Sequence, residues 1–183
     1  GRKINAIVED ANGRLLFGTR EHGVFRFSNG RFFPYPVPGL TSGHYIITMY
    51  VDRSEDLWIG TSRGLFKAPR GNRPVRIFTR QEGLSADYIT NVVQGSEQRT
   101  WSGTVTGLNL MTPLDTKTFR YESFLKDCVV ACLFIDREES VWVGALEKGL
   151  RRLKRKRFSR VEIPQKPASD MIWSLNLDPG NDT

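Results

Sequence analysis

The stretch Asp52-Arg53-Ser54-Glu55-Asp56-Leu57-Trp58-Ile59-Gly60-Thr61-Ser62-Arg63-Gly64-Leu65-Phe66 decides the fold. It reads as a polar turn, a short β-rich run, a glycine-containing turn and the start of a second run. The arrangement recurs. Residues 10–25 carry Leu16-Phe17-Gly18-Thr19 and then Gly23-Val24-Phe25. Residues 95–110 carry Trp101-Ser102-Gly103-Thr104 and then Gly107-Leu108. Residues 136–151 carry Trp142-Val143-Gly144-Ala145 and then Gly149-Leu150. The glycine of this W-x-G-T/A unit falls at 18, 60, 103 and 144, in steps of 42, 43 and 41 residues. An Asp column falls at 10, 52, 136 and 178, with Gly95 in the third slot. A fixed period of this size marks a solenoid, a propeller or an array.

Each period splits into four strand candidates. The first is β-branched and apolar, as strands prefer: Ile4–Glu9, Ile46–Val51, Ile89–Gln94, Val130–Ile135 and a fifth copy at Ile172–Leu177. The second is the W-x-G-T run. The third is Val24–Ser28, Leu65–Ala68, Leu108–Met111 and Leu150–Lys154, and the fourth Phe32–Tyr35, Val75–Phe78, Phe119–Tyr121 and Phe158–Val161. Asp10-Ala11-Asn12-Gly13 and Asn29-Gly30 between them are turn sequences. No segment holds a helical period. Four strands per repeat of about 42 residues is the signature of a β-propeller blade. The expected fold is all-β, a single segment over 1–183, with blades at about 4–35, 46–78, 89–121 and 130–161 and a fifth begun at 172–177.

Two columns of the first strand fit this geometry. Ala6, Thr48, Asn91, Cys132 and Ser174 are small, as a crowded channel wall requires. Ile7, Met49, Val92, Leu133 and Leu175 are apolar and are expected between blades. Trp58, Trp101 and Trp142 are expected to be buried there too, as core rather than as sugar platforms. The Asp column is expected to hold its turn by bonding nearby backbone N–H groups. A calcium loop starting at Asp10-x-Asn12 is a weak match, because the other repeats lack the further ligands.

Composition narrows the classes. The chain has 183 residues, 39% hydrophobic and 11% aromatic, which suits a folded domain. No apolar run is long enough to span a bilayer. Ile4 already fills the first apolar position of a repeat, so the sequence reads as a piece of a longer protein. The lack of a signal sequence at Gly1 then says little about compartment. The net charge is +7, from 27 basic and 20 acidic residues. The densest basic run, Arg151–Arg157, aligns with the hairpin of the first repeat and reads as a solvated turn. Only Phe158 lies near it, and nucleic-acid binders interleave such charge with stacking aromatics, so no nucleic-acid partner is expected. Cys128 and Cys132 are too few for a disulfide scaffold or a cysteine-rich zinc site. Read as one strand, their spacing separates the Cα atoms by about 13 Å, beyond the disulfide reach of about 7 Å. They are expected to stay unpaired.

The pattern G-L-x-x-x-x-I-x-x-I/V-x-x-D-x-x-x-x-L-W-I/V-G-T-x-x-G-L resembles the two-component regulator propeller repeat. Gly83-Leu84 before Ile89 and Gly39-Leu40 before Ile46 match its run-in, and Asp52 to Leu65 match its centre. Departures are Leu16-Phe17, Gly95 and Ala145. The resemblance covers essentially the whole chain, as four repeats and the start of a fifth. It implies the ligand-sensing part of a bacterial histidine-kinase or hybrid sensor, periplasmic, in a seven-bladed ring. Kinase activity and any membrane anchor would belong to separate parts of the protein.

Propellers place functional residues around the channel mouth. One end should carry the residues leading into each first strand and the turn after each W-x-G-T run. The candidates there are His22, His44, Tyr45, Arg63, Asp87, Tyr88, Glu147 and Asp170. Such a mixture of rings and charges suits a small polar ligand such as an oligosaccharide. A protein-interaction scaffold is the alternative. A streptogramin-lyase type of propeller enzyme is a further one, with His22 or His44 as base. Neither histidine sits in a catalytic motif, and no metal-ligand spacing or phosphate loop is present. No cofactor, metal or catalytic residue is expected. The expected partners are the ligand and the remaining blades, supplied by the same protein or by another copy.

Overall fold

The computed structural model describes residues 3–154 and the backbone of 157–160. It contains four antiparallel four-stranded sheets, each built from strands in sequence order. Blade 1 is β1 (Ile4–Glu9), β2 (Leu15–Thr19), β3 (Val24–Ser28) and β4 (Arg31–Tyr35). Blade 2 is β5 (Ile46–Val51), β6 (Leu57–Thr61), β7 (Gly64–Ala68) and β8 (Arg76–Phe78). Blade 3 is β9 (Ile89–Gln94), β10 (Thr100–Thr104), β11 (Gly107–Pro113) and β12 (Phe119–Phe124). Blade 4 is β13 (Val130–Ile135), β14 (Val141–Ala145), β15 (Gly149–Lys154) and β16 (Arg157–Arg160). First strands of successive blades lie side by side, β1 against β5, β5 against β9 and β9 against β13. The fold is a β-propeller segment of four blades. The expected fifth strand, Ile172–Leu177, lies outside the described residues.

Three apolar layers fill the spaces between blades. Leu16 and Val24 of blade 1 meet Ile46, Met49, Leu57, Ile59 and Phe66 of blade 2. Trp58, Leu65 and Phe78 meet Leu84, Ile89, Val92 and Met111 of blade 3. Trp101, Leu108 and Leu110 meet Val130, Leu133, Val141 and Val143 of blade 4. Trp58 and Trp101 are buried as expected, at 1% and 7% exposure. Trp142 departs from the expectation and is only partly buried. It stands on the outward face of the last described blade, with the Arg152 guanidinium 4.8 Å above its ring.

The glycine of the W-x-G-T unit is a port for the next blade. A Cβ on Gly18 would lie 2.6 Å from a methyl of Ile46. One on Gly60 would lie 2.8 Å from Ile89, and one on Gly103 2.6 Å from Val130. The first residues of β5, β9 and β13 thus insert against the glycine of the preceding blade. Ala6, Thr48, Asn91 and Cys132 pair across the sheet with Gly18, Gly60, Gly103 and Gly144. The small column therefore borders that crowded junction. Asn91 reaches through it, donating from Nδ2 to the Ala131 carbonyl of blade 4 at 2.8 Å.

The Asp column holds its turns as expected. Asp52 Oδ1 accepts from the N–H of Ser54 (2.8 Å) and Asp56 (3.0 Å), and Asp136 Oδ1 from Glu138 (2.9 Å) and Ser140 (2.8 Å). The threonine after the glycine closes the next turn. Thr61 Oγ1 donates to the Gly64 carbonyl (2.8 Å) and accepts from Arg63 N–H (3.1 Å). Neither cysteine forms a disulfide, as expected. Cys128 precedes β13 and bonds to the Leu125 carbonyl, so strand spacing is not what separates it from Cys132. Burial pushes both thiols above their ordinary range.

Candidate functional site

The residues leading into each first strand and the β2–β3-type turns do lie at one end of the blades. Backbone bonds tie them: Arg20 N–H to Lys3 O (3.0 Å), Ser62 N–H to Tyr45 O (3.0 Å) and Leu146 N–H to Val129 O (2.9 Å). Two further bonds cross between blades, Gly64 N–H to Asp87 O (2.7 Å) and Asp127 N–H to Thr106 O (3.1 Å). The loops of this end therefore form a continuous rim.

Tyr45 and Tyr88 occupy equivalent positions, each one residue before a first strand, and are 40% and 43% exposed. The Arg20 guanidinium lies 5.2 Å from the Tyr45 ring centre, an attractive cation–π geometry. Arg63 is exposed on the next turn, with its guanidinium against Gly43. Asp87 is half-buried. Its Oδ1 accepts from Arg80 N–H (2.7 Å) and its carbonyl ties blade 3 to blade 2.

The two histidines differ in setting. His22 is exposed on the turn after β2, where its N–H donates to Thr19 Oγ1 (2.9 Å). His44 is half-buried, its ring edge-to-face on buried Phe66 at 5.0 Å. Its Nδ1 accepts from Thr41 N–H (3.2 Å) and lies 2.9 Å from Thr41 Oγ1. That arrangement closes a local turn. Glu147 is exposed on the corresponding turn of blade 4, away from the Tyr45 group. Asp170 lies outside the described residues. The structure thus gathers Tyr45, Arg63, Asp87 and Tyr88 along blades 2 and 3 and adds Arg20. The sequence carries a weak signal for Arg20, which opens the turn containing His22.

A concavity of about 530 Å³ opens at the opposite end. Tyr50, Arg53, Val93, Gln94, Phe134 and Arg137 are among the residues that line it, and none of the predicted site residues does. Among the described residues there is no cluster of His, Cys, Asp and Glu able to hold a metal ion. No helix there is long and apolar enough to cross a membrane.

No curated protein matches the sequence. Residues 39–63, which run from the Gly39-Leu40 lead-in through β5 and β6, match the family model described as two component regulator propeller. This stretch, one repeat of the four, is thus similar to the two component regulator propeller family. Solved structures share its fold at low identity. PorZ, a surface component of the type-IX secretion system of Porphyromonas gingivalis, matches at 16% identity with a TM-score of 0.75, over 97% of this chain and 30% of its own. Catalytically inactive virginiamycin B lyase from Staphylococcus aureus, solved with quinupristin, matches at 10% identity with a TM-score of 0.73, over 89% and 56%. The extracellular domain assigned to a one component system of B. thetaiotaomicron matches at 17% identity with a TM-score of 0.57, over 96% and 30%. The chain spans between about a third and just over half the length of these structures.

Proposed function

We propose that this chain is an arc of a ligand-sensing propeller in an extracytoplasmic sensor of a bacterial signalling system. Its ligand is a small polar molecule such as an oligosaccharide, held on the rim that carries Tyr45 and Tyr88. The observation that carries the reading is the pair of exposed tyrosine rings at the same repeat position of adjacent blades. Flat aromatic faces suit the apolar faces of sugar rings, and Arg20, Arg63 and Asp87 supply donors and acceptors around them. The similarity of residues 39–63 to the two component regulator propeller supports a sensor, and the similar B. thetaiotaomicron structure is itself an extracellular domain. The periplasm is the compartment proposed. The likeness to virginiamycin B lyase supports the shared fold alone. His44, tied to Thr41 and packed on Phe66, is poorly placed to act as a base.

The test is a saccharide array probed with the protein, followed by calorimetry on any saccharide retained. Tyr45→Ala and Tyr88→Ala should each weaken binding by about tenfold or more, the scale of losing one aromatic anchor. Binding that survives both substitutions unchanged would reject this rim. Turnover of the saccharide, lost in His22→Ala, would favour the lyase-type alternative.

A further inference from the structure

The concavity at the other end of the blades is organised by one departure from the repeat. In blades 2 and 4 the first strand is followed by Asp52 and Asp136, and each of these by an arginine, Arg53 and Arg137. In blade 3 the same two positions are Gly95 and Ser96. The two arginines, two blades apart and at the same repeat position, both line one concavity over a turn whose first two residues, Gly95 and Ser96, are small.

Glu139 of blade 4 fills the space that Gly95 leaves. A Cβ on Gly95 would lie 2.8 Å from Glu139 Oε2, and that oxygen accepts from Ser96 N–H at 2.8 Å. The other oxygen lies 3.8 Å from Arg53 Nη2, beyond hydrogen-bond distance. The Arg53 side chain is 72% exposed and Glu139 39%, so this long ion pair is well solvated and weak. Asp136, the other carboxylate of the lining, is already bonded to two backbone N–H groups, to Trp142 Nε1 (2.7 Å) and to Arg152 (3.3 Å). Behind the charges the wall is apolar, from Val93, Phe134 and Ile135, with Tyr50 donating to the Gln94 carbonyl at its edge (3.3 Å).

We propose that this concavity is a second binding site, for a small organic carboxylate with an apolar body. The carboxylate takes the Arg53 guanidinium in a paired geometry that Glu139 does not reach, and Arg137 faces it from blade 4. The apolar body lies on Val93, Phe134 and Ile135. The proposal is independent of the Tyr45 and Tyr88 rim.

Phenylacetate and its neutral isostere phenylacetamide are the probes, titrated into the 183-residue chain by calorimetry and by NMR of the backbone amides. Phenylacetate should bind saturably and shift the amides of Gln94, Gly95 and Ser96, with phenylacetamide about tenfold weaker, the scale of one charge-assisted hydrogen bond. Arg53→Gln, at an exposed position, should weaken phenylacetate by a similar factor and leave the unfolding midpoint unchanged. Glu139→Gln keeps an acceptor for Ser96 but removes the competing charge, and should tighten it. Arg137→Gln should weaken it and serves as a second reading of the same charge frame. Equal binding of the two probes, no saturable binding, or shifts centred on the exposed Phe27 and Phe32 of blade 1 would overturn the proposal. So would an Arg53→Gln protein that binds as the parent does.

Discussion

Trp58 Nε1 donates to Asp52 Oδ2 at 2.8 Å, both residues buried, across six positions of sequence. Asp136 and Trp142 repeat the bond at 2.7 Å. The carboxylate therefore joins two jobs. One oxygen closes the turn after the first strand, and the other fixes the indole that packs on the next blade. Where blade 1 has Leu16 in place of the tryptophan, the second oxygen of Asp10 turns to Arg14, whose Nε lies 2.7 Å away. Trp58→Phe keeps most of the ring but removes the donor to a buried carboxylate oxygen. It should cost about 1–3 kcal/mol, against about 3–5 kcal/mol for Trp58→Ala, which also opens a cavity. Urea unfolding of the two variants measures the difference. A Trp58→Phe protein as stable as the parent would mean that the bond contributes nothing.

Gly95 and Glu139 form the counterpart across blades. Restoring the repeat residue with Gly95→Asp brings a carboxylate against Glu139 Oε2, where even a Cβ would lie at 2.8 Å. The consensus residue should therefore destabilise blade 3, and Glu139→Ala should recover part of the loss. A double-mutant cycle measures the coupling, and additive effects would contradict the contact.

The Asp136 carboxyl gives a pH signature. Burial opposes its ionisation, but the N–H groups of Trp142, Ser140 and Glu138 and the Arg152 guanidinium outweigh that and hold it below the ordinary value. A depressed folded-state value stabilises the fold above the unfolded carboxyl range, near pH 4. The contribution is lost as pH falls through the lower folded value. Unfolding midpoints should therefore drop below about pH 4, and Asp136→Asn should flatten that drop. An Asp136→Asn protein with the parent's acid profile would assign the drop to other carboxylates.

The outer face of blade 1 carries apolar positions that the inner blades cover. Ile4 and Ile7 are 46% and 58% exposed, whereas Ile46, Met49, Ile89 and Val92 of blades 2 and 3 are at most 7% exposed. Phe27 and Phe32 stand beside them, 37% and 52% exposed and 5.0 Å apart. A bare sheet face of this kind invites pairing with further blades or with another copy. Light scattering on the 183-residue chain should show association, and Ile7→Asp with Phe32→Asp should reduce it. A monodisperse monomer would contradict this reading of the face.

Much of the fold is legible in the sequence because the repeat fixes it. All four first strands of the described blades fall where the β-branched runs place them, at Ile4–Glu9, Ile46–Val51, Ile89–Gln94 and Val130–Ile135. The fourth strands are less well marked. Expected Phe119–Tyr121 extends to Phe124, because the outer strand is largely exposed and two of its three added residues, Glu122 and Ser123, are polar. The glycine port was half-legible. A glycine announces close approach, but the group that approaches is Ile46 or Ile89, nearly thirty residues downstream, and only the blade stacking brings it in. At the rim, Tyr45 and Tyr88 stand out as repeat-equivalent aromatics. His44 looks like a site residue by type alone, and only its contact with Phe66 reveals a packing role. The concavity at Arg53 was hidden because it depends on an absent side chain at Gly95 and on a glutamate reaching from the next blade.

The central claim is that the ligand sits on the rim of Tyr45 and Tyr88. Hydrogen exchange of the backbone amides, with and without a saccharide retained by the array, tests it most directly. Exchange should slow at residues 43–45, 62–64 and 87–88, with residues 93–96 and 133–139 unchanged. Slowing confined to 93–96 and 133–139 would contradict it and place the saccharide at the other end of the blades.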